Sequence, residues 1–236
     1  MDIWGPATKQ TPQGYKYILT LVDDSTRWCD VMFLKTKDNA YPAYMQYARQ
    51  LKTQNNITIK ILQSDNDAVF LSEAFNKFLA EEGTKRYLTV HDTPQQNGIV
   101  ERMHGTILSM VRVNLHSAKL PLRLWGEAMR YSIFIHNRTP RAAIGFDTPY
   151  NKRYNKVYTF HELHMFGQHV IVHQSDTSKI QARGLPGQYL GPDEFSLGHR
   201  IWITGKITVK RNVQFLDLPH PRIVGEQDII NHHDVE

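Results

Sequence analysis

The chain has 236 residues, 41% of them hydrophobic, 11% aromatic and 22% charged, with a formal net charge of +5. That composition is too apolar for a disordered segment and long enough to bury a core, between one large domain and two small ones. A single cysteine, Cys29, excludes a disulfide framework or a cysteine-based zinc site made by this chain alone. No apolar run approaches the ~18 residues of a membrane span, and no basic-then-apolar leader follows Met1, so a non-secreted protein of a reducing compartment, cytosolic or nuclear, is expected.

Tyr15–Val22 and Trp28–Leu34 are β-rich runs joined by the turn-forming cluster Asp23-Asp24-Ser25-Thr26, and read as a hairpin. Tyr41, Tyr44, Ala48 and Leu51 recur at helical spacing between Asp38 and Asn55. Ile57, Ile59 and Ile61 alternate as the inward side of a strand over Ile57–Leu62. Ser72–Glu82 predicts a helix with Ser72 as N-cap and Gly83 as its stop, and Arg86–Val90 a short strand. Asn97–Ser117 is a long amphipathic helix with Ile99, Met103, Ile107, Met110 or Val111, and Leu115 on one face. Leu122–His136 repeats the pattern through Leu122, Trp125, Met129 and Ile133.

This order, three strands and then alternating helices and strands, predicts an α/β fold: a mixed sheet covered by helices. After Pro140 the character changes. Leu163–His173, Gln188–Leu190, Arg200–Thr204 and Ile207–Phe215 are short β-like runs punctuated by Gly and Pro, which predicts a small β-rich module. The expected division is therefore residues 1–140, residues 141–218 and a disordered polar tail over 219–236.

Charge is unevenly placed. Residues 1–110 hold 12 Lys/Arg against 12 Asp/Glu, whereas residues 111–160 hold 9 against only Glu127 and Asp147. Such a block suits a polyanion laid along Arg112, Lys119, Arg123, Arg130 and Arg138, or equally a solvated helix face.

Three carboxylates stand where this topology can gather side chains. Asp2 opens a strand, Asp65 follows the Ile57–Leu62 strand, and Glu101 sits in the first turn of the long helix. Rigidly held carboxylates are hard-oxygen ligands for Mg²⁺, and a bridged pair of ions ~3.5–4 Å apart can activate a hydroxyl and stabilise the leaving oxygen of a phosphodiester. Acids at strand ends are also common turn formers, and Glu101 near a helix start suits the helix dipole.

The 35 residues between Asp65 and Glu101 match the spacing of the Asp-Asp-Glu triad of retroviral-type integrases. The strings Asp2-Ile3-Trp4-Gly5-Pro6, Val22-Asp23-Asp24-Ser25-Thr26-Arg27, Ser64-Asp65-Asn66 and Thr93-Pro94-Gln95-Gln96-Asn97-Gly98-Ile99-Val100-Glu101-Arg102 carry the likeness further, with Leu124-Trp125-Gly126-Glu127-Ala128, Asn137-Arg138-Thr139-Pro140 and Thr148-Pro149-Tyr150 after them. Over roughly residues 2–217 the chain resembles the integrase core of a copia-type retrotransposon polyprotein. The resemblance implies an RNase H-like fold and a polynucleotidyl transferase that trims and joins DNA 3′ ends, with Asp2, Asp65 and Glu101 holding Mg²⁺ or Mn²⁺. It gives the basic block a partner, DNA, with RNA as a second polyanion, and implies a homo-oligomer when active and a nuclear as well as cytoplasmic location. Gln95, Gln96 and Asn97 would touch DNA from the loop before the long helix, unless Asn97 is only that helix's N-cap.

Two departures carry expectations of their own. Asp67 stands where the family usually has Gly, and is expected to raise neighbouring carboxylate pKa values or to draw an ion off register. Asp2, one residue from the start of the sequence, is expected to lack a complete strand to pin it, as in a piece of a larger polyprotein. The competing functions are an active integrase fragment, a nucleic-acid-binding remnant without catalysis, and an RNase H-type nuclease, against which the 35-residue spacing argues.

Overall fold

The computed structural model describes residues 1–65, 67–88, 94–159, 163–173 and 184–216, with residues 94–97 as helix backbone. The tail expected over 219–236, the last two residues of the Arg86–Val90 strand and the side chains of Gln95, Gln96 and Asn97 lie outside the described residues.

Strands β1 (Asp2–Trp4), β2 (Tyr17–Val22) and β3 (Cys29–Leu34) form an antiparallel sheet with β2 in the middle. Its turn is held by Asp23, whose carboxylate accepts from the Ser25 amide at 3.0 Å and the Thr26 hydroxyl at 2.7 Å. A helix α1 (Ala40–Asn55) leads to β4 (Ile61–Ser64), and α2 (Glu73–Glu81) to β5 (Lys85–Leu88), which runs parallel to β4. The Met1 nitrogen, just before β1, donates to the Gln63 carbonyl of β4 at 2.6 Å and so ties the three-stranded sheet to the β4–β5 pair.

Alternation along β2 sorts the core. Ile18 faces the long helix α3 (Pro94–Ser117) and α4 (Trp125–His136), packing with Met103, Ile107, Val111 and Met129. Leu19 and Leu21 point the other way, into Tyr44, Phe70, Phe75 and Phe78 of the α1–α2 side. A central strand with a helix layer on each face must be apolar on both, which explains why YILTLV does not alternate in polarity.

After the short α5 (Pro149–Tyr154), five strands, β6 (His169–His173), β7 (Gly184–Pro192), β8 (His199–Ile203), β9 (Lys206–Lys210) and β10 (Val213–Phe215), pair antiparallel in the order β10-β6-β7-β8-β9. This second sheet covers the outer side of α4, so Val170, Tyr189, Leu190 and Ile201 share one core with Ile18 and Met103. Helix α4 is consequently buried nearly all round, with Trp125, Ala128, Met129, Tyr131 and Ile133 all inside. Gly167 is required at the join: its φ is +80°, and an added Cβ would lie 2.2 Å from that of Ala118.

Three local expectations are corrected. The strand after α1 starts at Ile61 rather than Ile57, and its inward residues are Leu62 and Ser64, with Ile61 59% exposed. Asn56, left-handed at φ +55°, ends the helix and resets the phase that the isoleucine alternation suggested. Leu122, expected inward, is 54% exposed, because Leu122–Leu124 is a 3₁₀ turn that buries Leu124 instead. The long helix begins at Pro94, a residue suited to a first helical position, so Asn97 lies inside it and is not its N-cap.

The buried Asn137, just past α4, closes the exposed side of β3. Its Oδ1 accepts from the Cys29 amide at 2.9 Å and its Nδ2 donates to the Cys29 carbonyl at 2.8 Å, as a neighbouring strand would. Cys29 itself is fully buried and its thiol pKa is pushed far up by that burial.

Candidate active site

Asp2 is paired, not frayed: it stands opposite Thr20 in the β1–β2 ladder, with Met1 buried in the core beneath it. This corrects the expectation of an unpinned ligand. Its Oδ1 accepts from the Ile3 amide at 2.7 Å, and its Oδ2 lies 3.3 Å from Nδ1 of His104 on α3. The other ring nitrogen of His104 is 2.8 Å from the Thr20 hydroxyl.

Asp65 follows the buried Ser64 at the end of β4, whose Gln63 carbonyl accepts from the Met1 nitrogen. Burial raises its pKa above the ordinary carboxylate value of 3.8; the Asp67 amide opposes this, while the charges of Asp2 and Asp67 add to it. Asp2 and Asp65 are thus brought together closely enough to repel.

Asp67 raises the pKa of Asp65, as expected, and has partners of its own. Its carboxylate caps the 3₁₀ turn Ala68–Leu71 through the Val69 amide at 3.2 Å and meets Lys37 Nζ at 2.7 Å. Burial pushes its pKa up, but the Lys37 hydrogen bond and the Val69 amide win and hold it below the usual range. Its charge is thus paired with Lys37 while still raising Asp65.

Glu101 is exposed on α3, one turn before His104. Among the described residues no three His, Cys, Asp or Glu side chains are grouped to hold a metal ion. Asp2 and Asp65 both lie near the Met1 amine, and Glu101 lies on α3. Gln95, Gln96 and Asn97 are carried in the first turn of α3, not in a preceding loop.

The basic stretch divides in two. Arg112, Lys119 and Arg123 are exposed along α3 and the turn after it, Arg112 donating to Ser109 at 2.9 Å and Arg123 lying over Trp202. Arg130 and Arg138 are engaged within the protein. Arg130 meets Glu194 at 2.6 Å and lies 4.5 Å over Phe33. Arg138 is enclosed by the rings of Phe134, Tyr150 and Tyr158, and its burial lowers its pKa.

Sequence reasoning missed His104, Thr20 and Lys37. A signal for the first was present, since His104 lies three residues after Glu101 on one helix face. Thr20 was the one hydroxyl in an otherwise aliphatic central strand segment, Ile18–Val22.

Residues 1–94 match the family model described as the integrase core domain. The Retrovirus-related Pol polyprotein from transposon TNT 1-94 of Nicotiana tabacum is 31% identical over 218 residues, covering 91% of this chain. The truncated transposon Ty1-A Gag-Pol polyprotein of Saccharomyces cerevisiae is 27% identical over 212 residues, covering 86%. The chain spans only 16% and 17% of the lengths of these two relatives. The catalytic core domain of BIV integrase aligns with a TM-score of 0.47 at 17% identity, over 65% of this chain and 92% of that one. By these sequence matches the chain belongs to the integrase core family of retrotransposon Pol polyproteins.

Proposed function

We propose that this chain is the catalytic core of a retrotransposon integrase, a divalent-metal-dependent polynucleotidyl transferase that processes the 3′ ends of the element's DNA and joins them to target DNA in the nucleus. The carboxylates of Asp2 and Asp65, flanking the hydrogen bond from Met1 to Gln63, support the reading. Mg²⁺ binds through one or two carboxylates while keeping several waters, and two hard-oxygen groups of this kind are such a donor set. A bound ion supplies activation of the attacking hydroxyl and neutralises charge on the phosphodiester. The protein's part is to hold one carboxylate on β1 and the other at the end of β4, to bring Glu101 towards DNA from α3, and to present Arg112, Lys119 and Arg123 to phosphates. DNA is the proposed partner, with RNA secondary, and the active form a homo-oligomer.

The exposure of Glu101 favours one second reading, a nucleic-acid-binding remnant without catalysis. Strand transfer on a labelled duplex bearing the element's ends, with Mg²⁺ or Mn²⁺, separates the two. Joining by the unmodified chain that disappears in Asp2→Asn, Asp65→Asn and Glu101→Gln supports the integrase. DNA binding without joining supports the remnant, and joining that survives all three substitutions sinks the proposed site.

A further inference from the structure

We propose that His104, held by Thr20, is a positioning residue that fixes the Asp2 carboxylate for its ion. This rests on the reading of Asp2 as a metal ligand. Three observations carry it. The imidazole spans two strands, with Nδ1 3.3 Å from Asp2 Oδ2 and Nε2 2.8 Å from Thr20 Oγ1. Asp2 and Thr20 are register partners in the β1–β2 ladder, so one ring from α3 touches both members of a cross-strand pair. A void of about 10 Å³ lined by Thr20, His104, Cys29 and Met129 adjoins the ring, so packing leaves slack there and the hydroxyl locates it.

Asp2 only accepts, so a proton on Nδ1 faces Oδ2, while Nε2 and the Thr20 hydroxyl, each able to donate or accept, share the second contact. Oδ1 is already held by the Ile3 amide at 2.7 Å. Both oxygens are thereby oriented, each with a lone pair left over, and the ring transmits the placement of α3 to β1. Glu101 is one turn away on the same helix, so the contact that orients Asp2 also sets the register of Glu101 against the strand.

The test measures Mn²⁺ binding to the whole chain by electron paramagnetic resonance of free and bound ion, with circular dichroism to monitor folding. Asp2→Asn is expected to abolish binding. His104→Ala should weaken it about 10–100-fold, the usual effect of removing a partner behind a ligand. Thr20→Val, nearly isosteric, should weaken it several-fold, and add nothing in the His104→Ala background. His104→Asn should recover part of the loss, because its amide nitrogen can take the place of Nδ1, whereas His104→Gln places its donor towards Thr20 and should not.

If Asp2→Asn abolishes binding and His104→Ala leaves it unchanged, the positioning role is refuted and the carboxylate site stands. If Asp2→Asn itself leaves binding unchanged, the site reading fails and the proposal fails with it. A pulsed-resonance signal from imidazole nitrogen bound directly to Mn²⁺ also overturns the proposal, since His104 would then be a ligand.

Discussion

Removing the Arg200 side chain should be among the most damaging single changes in the second sheet. Glu127 on α4 is only 4% exposed, yet its carboxylate is gripped bidentately from β8 by Arg200, Nε to Oε2 at 2.7 Å and Nη2 to Oε1 at 2.9 Å. A third contact runs from Arg200 Nη1 to Asp193 at 3.2 Å. Arg200→Leu leaves the buried Glu127 carboxylate uncompensated, at a cost of about 3–5 kcal/mol. Glu127→Leu should cost less, about 1–3 kcal/mol, because Arg200 keeps Asp193 and some solvent. The double variant Glu127→Leu/Arg200→Leu puts two apolar side chains in the gap and should fall well short of the summed single losses. For a chain of 236 residues, 3–5 kcal/mol corresponds to a drop in Tm of about 6–20 °C. Urea unfolding followed by tryptophan fluorescence reads the change, with Trp125 on α4 and Trp202 on β8 flanking the pair. A loss under about 1 kcal/mol for Arg200→Leu, or strict additivity in the double variant, would show that the pair does not hold β8 to α4.

Asp65 has a raised pKa through burial and the charges near it, so folding is disfavoured as pH rises through that range; Asp65→Asn should therefore raise Tm at neutral pH without divalent cation, the gain vanishing at acid pH, and a variant no more stable than the parent would refute the repulsion. His136 is buried and its pKa is lowered from 6.5 to about 4 by burial and the nearby Arg141. Its neutral form is the stable one, so stability should be intact above pH 6.5 and fall as pH drops towards 4, by up to about 3 kcal/mol, and His136→Gln should flatten that slope in acid titrations followed by circular dichroism. Fluorescence anisotropy against salt should show Arg112→Gln with Lys119→Gln reducing the slope of log K on log salt by about 2. Arg138→Gln should instead lower Tm, since the guanidinium sits among three rings; a changed slope with an unchanged Tm would reverse that assignment.

Elements with a strong local signature were legible in the sequence. The hairpin turn at Asp23-Asp24-Ser25-Thr26, the Ser72 N-cap accepting from the Phe75 amide at 3.4 Å, and the apolar face of α3 all appear as their residues suggest. What failed was phase. Nothing local told Ile61 from Leu62, because which side of β4 is inward depends on β5 and α1, far along the chain. The approach of Asp2 to Asp65 depends on the contact of Met1 with Gln63, and the role of His104 on the distance between α3 and β1, neither of which a local pattern records. Charge was the most misleading signal: Arg123, Arg130 and Arg138 look alike in the sequence, and only packing shows that all three lie over rings of their own chain, Arg138 among three of them and Arg130 also paired with Glu194.

The two hydrogen bonds from Asn137 to Cys29 join residues 108 positions apart. On a ribosome adding about 5–20 residues per second, the β2–β3 hairpin would therefore emerge some 5–20 s before the amide that covers its edge. Through that interval β3 presents an open strand edge carrying a reduced cysteine, vulnerable to pairing with another nascent chain. The asparagine thus marks a window in synthesis, and a translational pause placed before codon 137 should raise aggregation more than one placed after it.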